Sequence, residues 1–253
     1  MPVLGLDFPP VGQLTDWPAL FGHGIFAVNK VVLLEWLAAV IVFAFFWTAA
    51  RGRSLVPSGV QNAGEAVIEF VQNAIILQTM GPEGMSWTPF LLTLFAFIFV
   101  CNIFEVIPII QMPVTARIAL PMFMAAIVFV SYHVVGVRRH GVIAYLKASL
   151  LPAGVPRFVL PLVALNLFVE FVFTKPFSLG VRLFANLLAG HLLLVTFSIL
   201  TAALFSATYV GAIVPAALLV ALYAFEVLVS VLQAFIFTML TAVYLGGAMH
   251  PEH

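Results

Sequence analysis

The stretch Leu183–Phe205 reads LFANLLAGHLLLVTFSILTAALF, and its only titratable side chain is that of His191. Beyond this stretch the sequence contains no Asp, Glu, Lys or Arg until its last two residues, with the single exception of Glu226. A transmembrane helix needs about 20 apolar residues, because each residue adds about 1.5 Å across a hydrocarbon core about 30 Å thick. These stretches exceed one perpendicular crossing. We therefore predict two long or strongly tilted helices, at 160–205 and 210–248, that form an antiparallel hairpin.

The composition of the whole chain agrees with a membrane protein. Ten basic and ten acidic residues make up 8% of 253 residues, and 64% are hydrophobic, whereas charged residues form about 25% of an ordinary soluble domain. Such a chain cannot cover a water-facing surface with polar groups, which excludes a soluble globular enzyme. One cysteine excludes a disulfide scaffold, and a net charge of zero offers no basic footprint for nucleic acid. The composition predicts an all-α polytopic membrane protein.

Shorter apolar segments precede the hairpin. We predict membrane-crossing helices at 28–50, 88–110 and 118–137. The segment 58–80 instead alternates apolar and polar residues with a 3–4 spacing, which is typical of an amphipathic helix lying along the membrane surface. The expected architecture is therefore about five crossings and one interfacial helix in a single membrane domain, 28–253.

The basic residues predict the orientation of the chain in the membrane, since Lys and Arg are enriched in cytoplasmic loops. The first 29 residues contain neither type, and the second and third crossings are joined by a connection with only Arg117. Basic residues instead follow the first and third crossings, at Arg51, Arg53, Arg138, Arg139, Lys147 and Arg157. We expect the segment 1–27 and the N-terminus to be extracytoplasmic and the C-terminus to be cytoplasmic. No cleaved signal peptide is predicted.

Three ionisable residues lie where burial in hydrocarbon is costly: Arg182, His191 and Glu226. An Arg at the centre of a bilayer costs about 2.5–3.5 kcal/mol on insertion scales, so such residues usually have a function. Asn186 follows Arg182 by four residues and shares its helix face, whereas His191 follows by nine and points to the opposite face. One helix therefore presents a cation to one side and an imidazole to the other.

Hairpin geometry pairs these residues with the last helix. His191 and Glu226 are equally distant from a turn near residue 208, and so, within one residue, are Arg182 and Gln233. We expect two pairs of facing polar residues, each of which we call a rung: His191 with Glu226, and Arg182 with Gln233. The opposite-face position of His191 then requires tilt of the helix or a local distortion. A buried His with a buried Glu can handle protons, because both titrate near physiological pH when perturbed. The alternative is a static polar pair.

Two more acids lie in or beside apolar stretches. Glu105 is expected towards the outside and Glu170 towards the cytoplasm. Acids approaching a central Arg from opposite sides suggest two half-access routes for protons rather than one open pore, although either acid could be an interfacial residue without such a role. Two rival classes stay open. A secondary transporter usually has paired repeats, and none is visible. A haem-binding subunit needs facing His pairs, for which His133 and His140 are the candidates.

Two motifs in this chain resemble a known family. Lys175–His191, KPFSLGVRLFANLLAGH, is similar to the Arg-bearing helix of subunit a of F-type ATP synthases, and Leu232–Leu245, LQAFIFTMLTAVYL, is similar to its last helix. Asn102–Pro108 resembles the Asn-containing end of the second span in that family, and Pro57–Val71 resembles its amphipathic segment. The resemblance begins near residue 28. One departure is Ala185, where many members have Gly.

The resemblance implies a stator subunit beside a rotating ring of c-subunits and in contact with peripheral-stalk b-type subunits, in a bacterial plasma membrane. No cofactor, metal or nucleotide site is expected in the chain itself. Arg182 would keep the ring carboxylate ionised and block a proton short-circuit, with Asn186, Gln233 and Asn102 as polar support. The remaining acids and the histidine would line the half-channels: His191, Glu226 and Glu105 on the outer side, and Glu170 on the cytoplasmic side.

Overall fold

The computed structural model describes residues 18–22, 27–52, 57–108, 110–112, 114–150, 156 and 158–250. Most of the first 27 residues and the basic residues Arg53 and Arg157 lie outside this part of the chain. Within it the protein is helical, and the only β-type pairing is an isolated bridge between Phe21 and Val28.

The helices of the described residues follow one another along the chain with short connections. They are α1 (Lys30–Arg51), α2 (Val60–Val71), α3 (Thr88–Ile103), α4 (Ala119–His140), α5 (Val142–Leu150), α6 (Leu160–Val169), α7 (Lys175–Ala207) and α8 (Tyr209–Met249). A π-helical turn at Gln72–Ile76 and a short helix at Leu77–Thr79 extend α2, and a 3-10 turn at Pro82–Trp87 leads into α3.

Five segments of the described residues are long and apolar enough to cross a membrane. They are Lys30–Arg51, Pro82–Ile103, Ala119–His140, Leu160–Phe205 and Tyr209–Met249. The last two are a long helical hairpin, with 46 and 41 residues. The chain turns at Thr208, whose backbone N–H donates to the carbonyl oxygen of Leu204 at 2.7 Å. The predicted all-α, polytopic fold with a long C-terminal hairpin is confirmed.

The second crossing ends earlier than the sequence suggested. Helix α3 stops at Ile103, seven residues before the expected end at 110. Two features explain the difference. The amide of Asn102 accepts a hydrogen bond from Thr115 Oγ1 at 2.8 Å, which holds the chain in a turn. Pro108 lacks the N–H that a helix would need there. Helix α4 instead runs three residues beyond the expected 137, until Gly141 ends it with a left-handed φ of 79°.

The amphipathic helix α2 buries a narrower stripe than its apolar pattern indicated. Gly64, Val71 and Ile75 are buried, whereas Val60 and Phe70 remain exposed at 49% and 41%. About half of each of these two side chains is therefore left uncovered by this chain. The position of α2 along the membrane surface stays a prediction.

Helices α6 and α7 form one continuous rod through a second π-helical turn, Glu170–Thr174. The turn ends at Thr174, two residues before Pro176, whose ring would clash with the preceding turn of a regular α-helix. A π-helical turn widens the helix at this point. The sequence Lys175-Pro176 therefore does not end the helix.

The described chain divides into two compact units. The first consists of the described residues within 1–44, 96–117 and 184–234, and the second of those within 45–95, 118–183 and 235–253. Each unit is described by itself below. The predicted rung between Arg182 and Gln233 joins residues of different units and therefore stays a prediction.

Candidate functional site

Three titratable residues of the first unit form a buried group, the acid–histidine cluster: Glu105, His191 and Glu226. His191 Nδ1 lies 3.4 Å from Glu105 Oε1, and the two side chains are 11% and 1% exposed. This separation is longer than a direct N–H···O hydrogen bond, which is usually 2.7–3.2 Å between the heavy atoms. Glu226 is 2% exposed. The turn after α3 therefore brings Glu105 to the imidazole that sequence analysis had paired with Glu226 alone.

Glu226 reaches the cluster through a space that Gly190 leaves open. A Cβ atom at Gly190 would overlap both carboxylate oxygens and the carboxyl carbon of Glu226. The hairpin thus brings Glu226 beside the residue directly before His191, as the turn near 208 predicted. Sequence analysis did not single out Gly190. The sequence did contain an indication, because Gly190 directly precedes His191 inside a predicted helix. A glycine there destabilises the helix by about 0.5–1 kcal/mol relative to Ala, which suggests a compensating role.

The carboxyl groups of the cluster have few protein partners. Both oxygens of Glu105 and Oε2 of Glu226 are buried without a hydrogen-bond partner among the described residues. A buried carboxylate without good partners is costly, so such a group favours its protonated form or a bound water. A cluster of this kind can take up a proton and release it.

A cavity of about 190 Å³ adjoins the cluster. Glu105 and His191 line it together with Gln111 and Tyr223. Gln111 Nε2 donates to the Tyr223 hydroxyl at 3.0 Å, and the Gln111 backbone has a φ of 40°, which side-chain-bearing residues rarely adopt. Sequence analysis missed this pair, because no local pattern relates residues 112 positions apart.

Asn102 is a positioning residue for the same cluster. It is completely buried, and its hydrogen bond with Thr115 holds the turn in which Glu105 lies. The backbone N–H of Glu105 donates to the Asn102 carbonyl oxygen at 3.2 Å. The Asn102 side chain therefore acts on Glu105 through the backbone.

Arg182 and Asn186 lie on α7 with their side chains exposed. Leu179, Leu183 and Leu187 of the same helix are buried. His191 is buried as well, so the exposed cation and the buried imidazole have the opposite environments that their nine-residue separation predicts. On α8, Gln233 is 5% exposed.

The second unit holds Glu170, which pairs with Lys175. Lys175 Nζ lies 3.6 Å from Glu170 Oε1, and the side chains are 34% and 47% exposed. Residues five apart face each other here because the intervening turn is π-helical. The hydroxyl of Thr174 donates across the same spacing, to the Val169 carbonyl oxygen at 3.4 Å.

A larger cavity, of about 360 Å³, lies beside this ion pair in the second unit. Its polar lining includes Lys175 and the tyrosines Tyr132, Tyr145 and Tyr244. Lys175 Nζ lies 5.8 Å from the centre of the Tyr244 ring, within range of a cation–π interaction. Burial raises the pKa of Tyr145 to about 12, so its hydroxyl keeps its proton.

The two histidines considered for haem both contact backbone carbonyl oxygens in the second unit. His133 Nδ1 lies 2.8 Å from the Phe129 oxygen, and His140 Nε2 lies 3.1 Å from that of Met249. The His133 ring also packs on Phe171, with centroids 4.4 Å apart. Each of these two backbone contacts engages one ring nitrogen of its histidine.

Comparison with known proteins identifies a family. The model of the family described as "ATP synthase A chain" matches residues 32–246. An ATP synthase subunit a of Parafrankia sp. (strain EAN1pec) is 41% identical over 226 residues, which cover 88% of this chain and 77% of the relative. The ATP synthase subunit a of Xanthobacter autotrophicus is 39% identical, with 92% of each chain covered. That of Nocardioides sp. (strain ATCC BAA-499 / JS614) is 36% identical, with 98% and 91% covered. This multi-pass membrane protein therefore belongs to the ATP synthase A chain family.

Proposed function

We propose that this chain, as subunit a of an F-type ATP synthase, conducts protons past a rotating ring of c-subunits and so couples proton flow to ATP synthesis. The observation that carries the proposal is the acid–histidine cluster. Glu105 and His191 line one small cavity, and the Glu226 carboxyl group lies against Gly190, the residue before His191. Both oxygens of Glu105 and Oε2 of Glu226 lack hydrogen-bond partners among the described residues. Such groups can accept protons from water and pass them on.

The entrance of the proton path is assigned to the cluster. A proton arrives from the extracytoplasmic side through the cavity that Gln111 and Tyr223 line. It binds to Glu105 or His191, which are close enough to exchange it, and then to Glu226. From Glu226 it moves along α8 to a carboxylate of a passing ring subunit.

Arg182 separates entrance from exit. Its side chain is not covered by this chain, so it is free to face a ring subunit in the assembled enzyme. A cation in a medium of low dielectric constant favours the ionised form of a nearby carboxylate. A ring carboxylate next to Arg182 must therefore lose its proton before it passes, and protons cannot leak directly between the two routes. Asn186 and Gln233 support this charge with polar groups.

The exit is assigned to Glu170 and the cavity beside Lys175. Glu170 is half exposed, so it can exchange protons with water, and the adjacent cavity is lined by hydroxyl groups that can hydrate the path. We assign this exit to the cytoplasmic side of a bacterial plasma membrane, with the N-terminus outside and the C-terminus inside. The basic residues after α1 and α4 support that orientation. Peripheral-stalk b-type subunits would hold the chain against rotation.

The proposal is tested with Arg182→Ala in the assembled enzyme. We expect ATP-driven proton pumping into inverted membrane vesicles to be abolished, because the ring carboxylates no longer lose their protons at the stator. Arg138→Ala is the matched control, since it removes an exposed Arg that has no part in the path, and it should pump normally. Normal pumping by Arg182→Ala in membranes that contain the complete complex would overturn the mechanism.

A further inference from the structure

The proposed route along α8, from Glu226 to Gln233, crosses an apolar stretch. Between these residues lie Val227, Leu228, Val229, Val231 and Leu232, and the only polar side chain is that of Ser230. Seven residues of α-helix span about 10 Å, which is too far for a proton to move in one hydrogen-bonded step. Ser230 lies four residues after Glu226 and three before Gln233, so all three share one face of the helix.

The hydroxyl of Ser230 behaves differently from its counterparts in the long hairpin. Thr196, Ser198, Thr201 and Thr241 each donate to the carbonyl oxygen four residues earlier, at 2.7–2.8 Å. That bond is the usual way for a helix to satisfy a hydroxyl in an apolar environment. Ser230 is 1% exposed, and its Oγ has no hydrogen-bond partner among the described residues. The hydroxyl is therefore buried but not bound to its own helix.

A second unpartnered oxygen lies one helical turn away. Oε2 of Glu226 is also buried without a partner among the described residues. Side chains four residues apart on a helix have Cβ atoms about 5–6 Å apart. Both oxygens extend from neighbouring positions on one helix face, and one water molecule with two hydrogen bonds of about 2.8 Å joins oxygens up to about 5.6 Å apart. A buried polar group left unsatisfied costs about 1–3 kcal/mol, so a water that bridges both oxygens is stabilised there.

We propose that Ser230 is a proton-relay residue that, with one bridging water, carries protons from Glu226 towards the level of Gln233. The Glu226 carboxyl group gives its proton to the water, and the water passes one of its own protons to Ser230 Oγ. Ser230 then releases its original hydroxyl proton to the next acceptor, the ring carboxylate of the proposed function. Each O–H bond that breaks is replaced by one that forms. One proton is moved and nothing is oxidised. The relay rests on the proposed function, because it needs a proton on Glu226.

The test compares Ser230→Ala with Ser230→Thr in membranes containing the assembled ATP synthase. Ser230→Ala removes only the hydroxyl oxygen, and we expect the initial rate of ATP-driven proton pumping to fall about five- to tenfold with unchanged complex content. Ser230→Thr keeps the hydroxyl and should restore at least about half of the rate. Thr241→Val is the control for loss of a buried hydroxyl from the same helix, and it should pump normally, since Thr241 donates to its own helix.

A normal rate in Ser230→Ala would overturn the relay. Equal losses in Ser230→Ala and Ser230→Thr would also overturn it, because the variant that keeps the hydroxyl group would then pump no better than the variant that lacks it. Glu226→Gln is measured in the same membranes to separate the relay from the proposed function. If Glu226→Gln stops pumping while Ser230→Ala does not, the relay alone fails. If Glu226→Gln pumps normally, the proposed entrance fails with it.

Discussion

The acids of the two units are held in opposite ways. In the first unit, the side chain of Glu105 is 1% exposed beside His191. In the second, the side chain of Glu170 is 47% exposed and paired with Lys175. The cavity beside the buried acid of the first unit is also the smaller one, with a volume of about 190 Å³ against about 360 Å³ in the second unit. A buried carboxyl group beside a titratable partner can hold a proton, whereas an exposed carboxylate beside a cation passes protons readily to water. On the proposed function, we expect proton transfer to depend more strongly on the acid of the first unit than on that of the second.

The largest expected effect comes from replacing these two acids in turn. Glu105→Gln removes a titratable group from a site with few alternatives, and we expect proton pumping to fall about 100-fold, within the range for loss of a positioned acid or base. Glu170→Gln removes a half-exposed ion pair, which contributes little to stability, and water can replace it, so we expect a loss of about twofold. The rates are measured by ATP-driven pumping in inverted vesicles.

Both variants keep the size of the side chain, so each serves as the other's control for folding and assembly. Equal losses in Glu105→Gln and Glu170→Gln would contradict the comparison. A larger loss in Glu170→Gln would reverse it and would make the second unit the one that limits proton flow.

A change of intermediate size is expected from Gly190→Ala. The added methyl group would occupy the space of the Glu226 carboxylate, so that the carboxylate must move away from the cluster. The end of a flexible side chain can move at low cost, and the fold should survive. Overpacking typically costs about 1–3 kcal/mol. We therefore expect proton pumping about ten times slower than normal. Immunoblots of the membranes should show a normal amount of assembled complex.

Gly211→Ala is the matched control in the same unit. A Cβ atom at Gly211 would meet its nearest neighbours at 3.7 and 3.9 Å, which are ordinary contact distances. This variant should pump at the normal rate. Normal pumping by Gly190→Ala would mean that the position of the Glu226 carboxylate does not matter for proton entry.

Much of the fold follows from the sequence, because a helix that crosses the hydrocarbon core must be about 20 residues long and nearly free of charged side chains. The uncharged stretches predicted both arms of the hairpin, and the turn at Thr208 lies where equal distances from His191 and Glu226 require it. The early end of α3 could not be predicted. It depends on the contact of Asn102 with Thr115, which an apolar window does not register. The π-helical turn before Lys175 was also missed, since helical periodicity does not distinguish it from an α-turn.

The candidate site was only partly predictable for a related reason. Charges in an apolar stretch are visible in the sequence, and this is why Arg182, His191 and Glu226 were identified. The contact between His191 and Glu105 depends on how three segments pack, and no spacing within one segment contains that information. Gly190 was overlooked because its role depends on the side chain that it lacks. The Glu226 carboxyl group occupies the space that a Cβ atom would fill, and this becomes apparent only when Glu226 is known to be its neighbour.

The smallest expected effect concerns the hydrogen bond between Tyr223 and Gln111 at the cavity of the first unit. Tyr223→Phe keeps the ring and removes the hydroxyl that accepts from Gln111 Nε2. A neutral hydrogen bond contributes about 0.5–1.5 kcal/mol, and this one is exposed, so we expect pumping to slow by about twofold. We expect an effect because the Gln111 backbone is strained, with a φ of 40°. Such a conformation persists only when tertiary contacts hold it, and the bond to Tyr223 is one of them.

Gln111→Gly separates strain from hydrogen bonding, because glycine adopts a positive φ without cost. If the bond to Tyr223 mainly holds Gln111 in its conformation, Gln111→Gly should pump faster than Gln111→Ala, which lacks the same bond but keeps the strain. Equal rates in these two variants would contradict this role and leave the amide itself as the relevant group at the cavity. A loss in Tyr223→Phe as large as that in Glu105→Gln would show that the Tyr223–Gln111 hydrogen bond limits proton entry as strongly as the buried acid does.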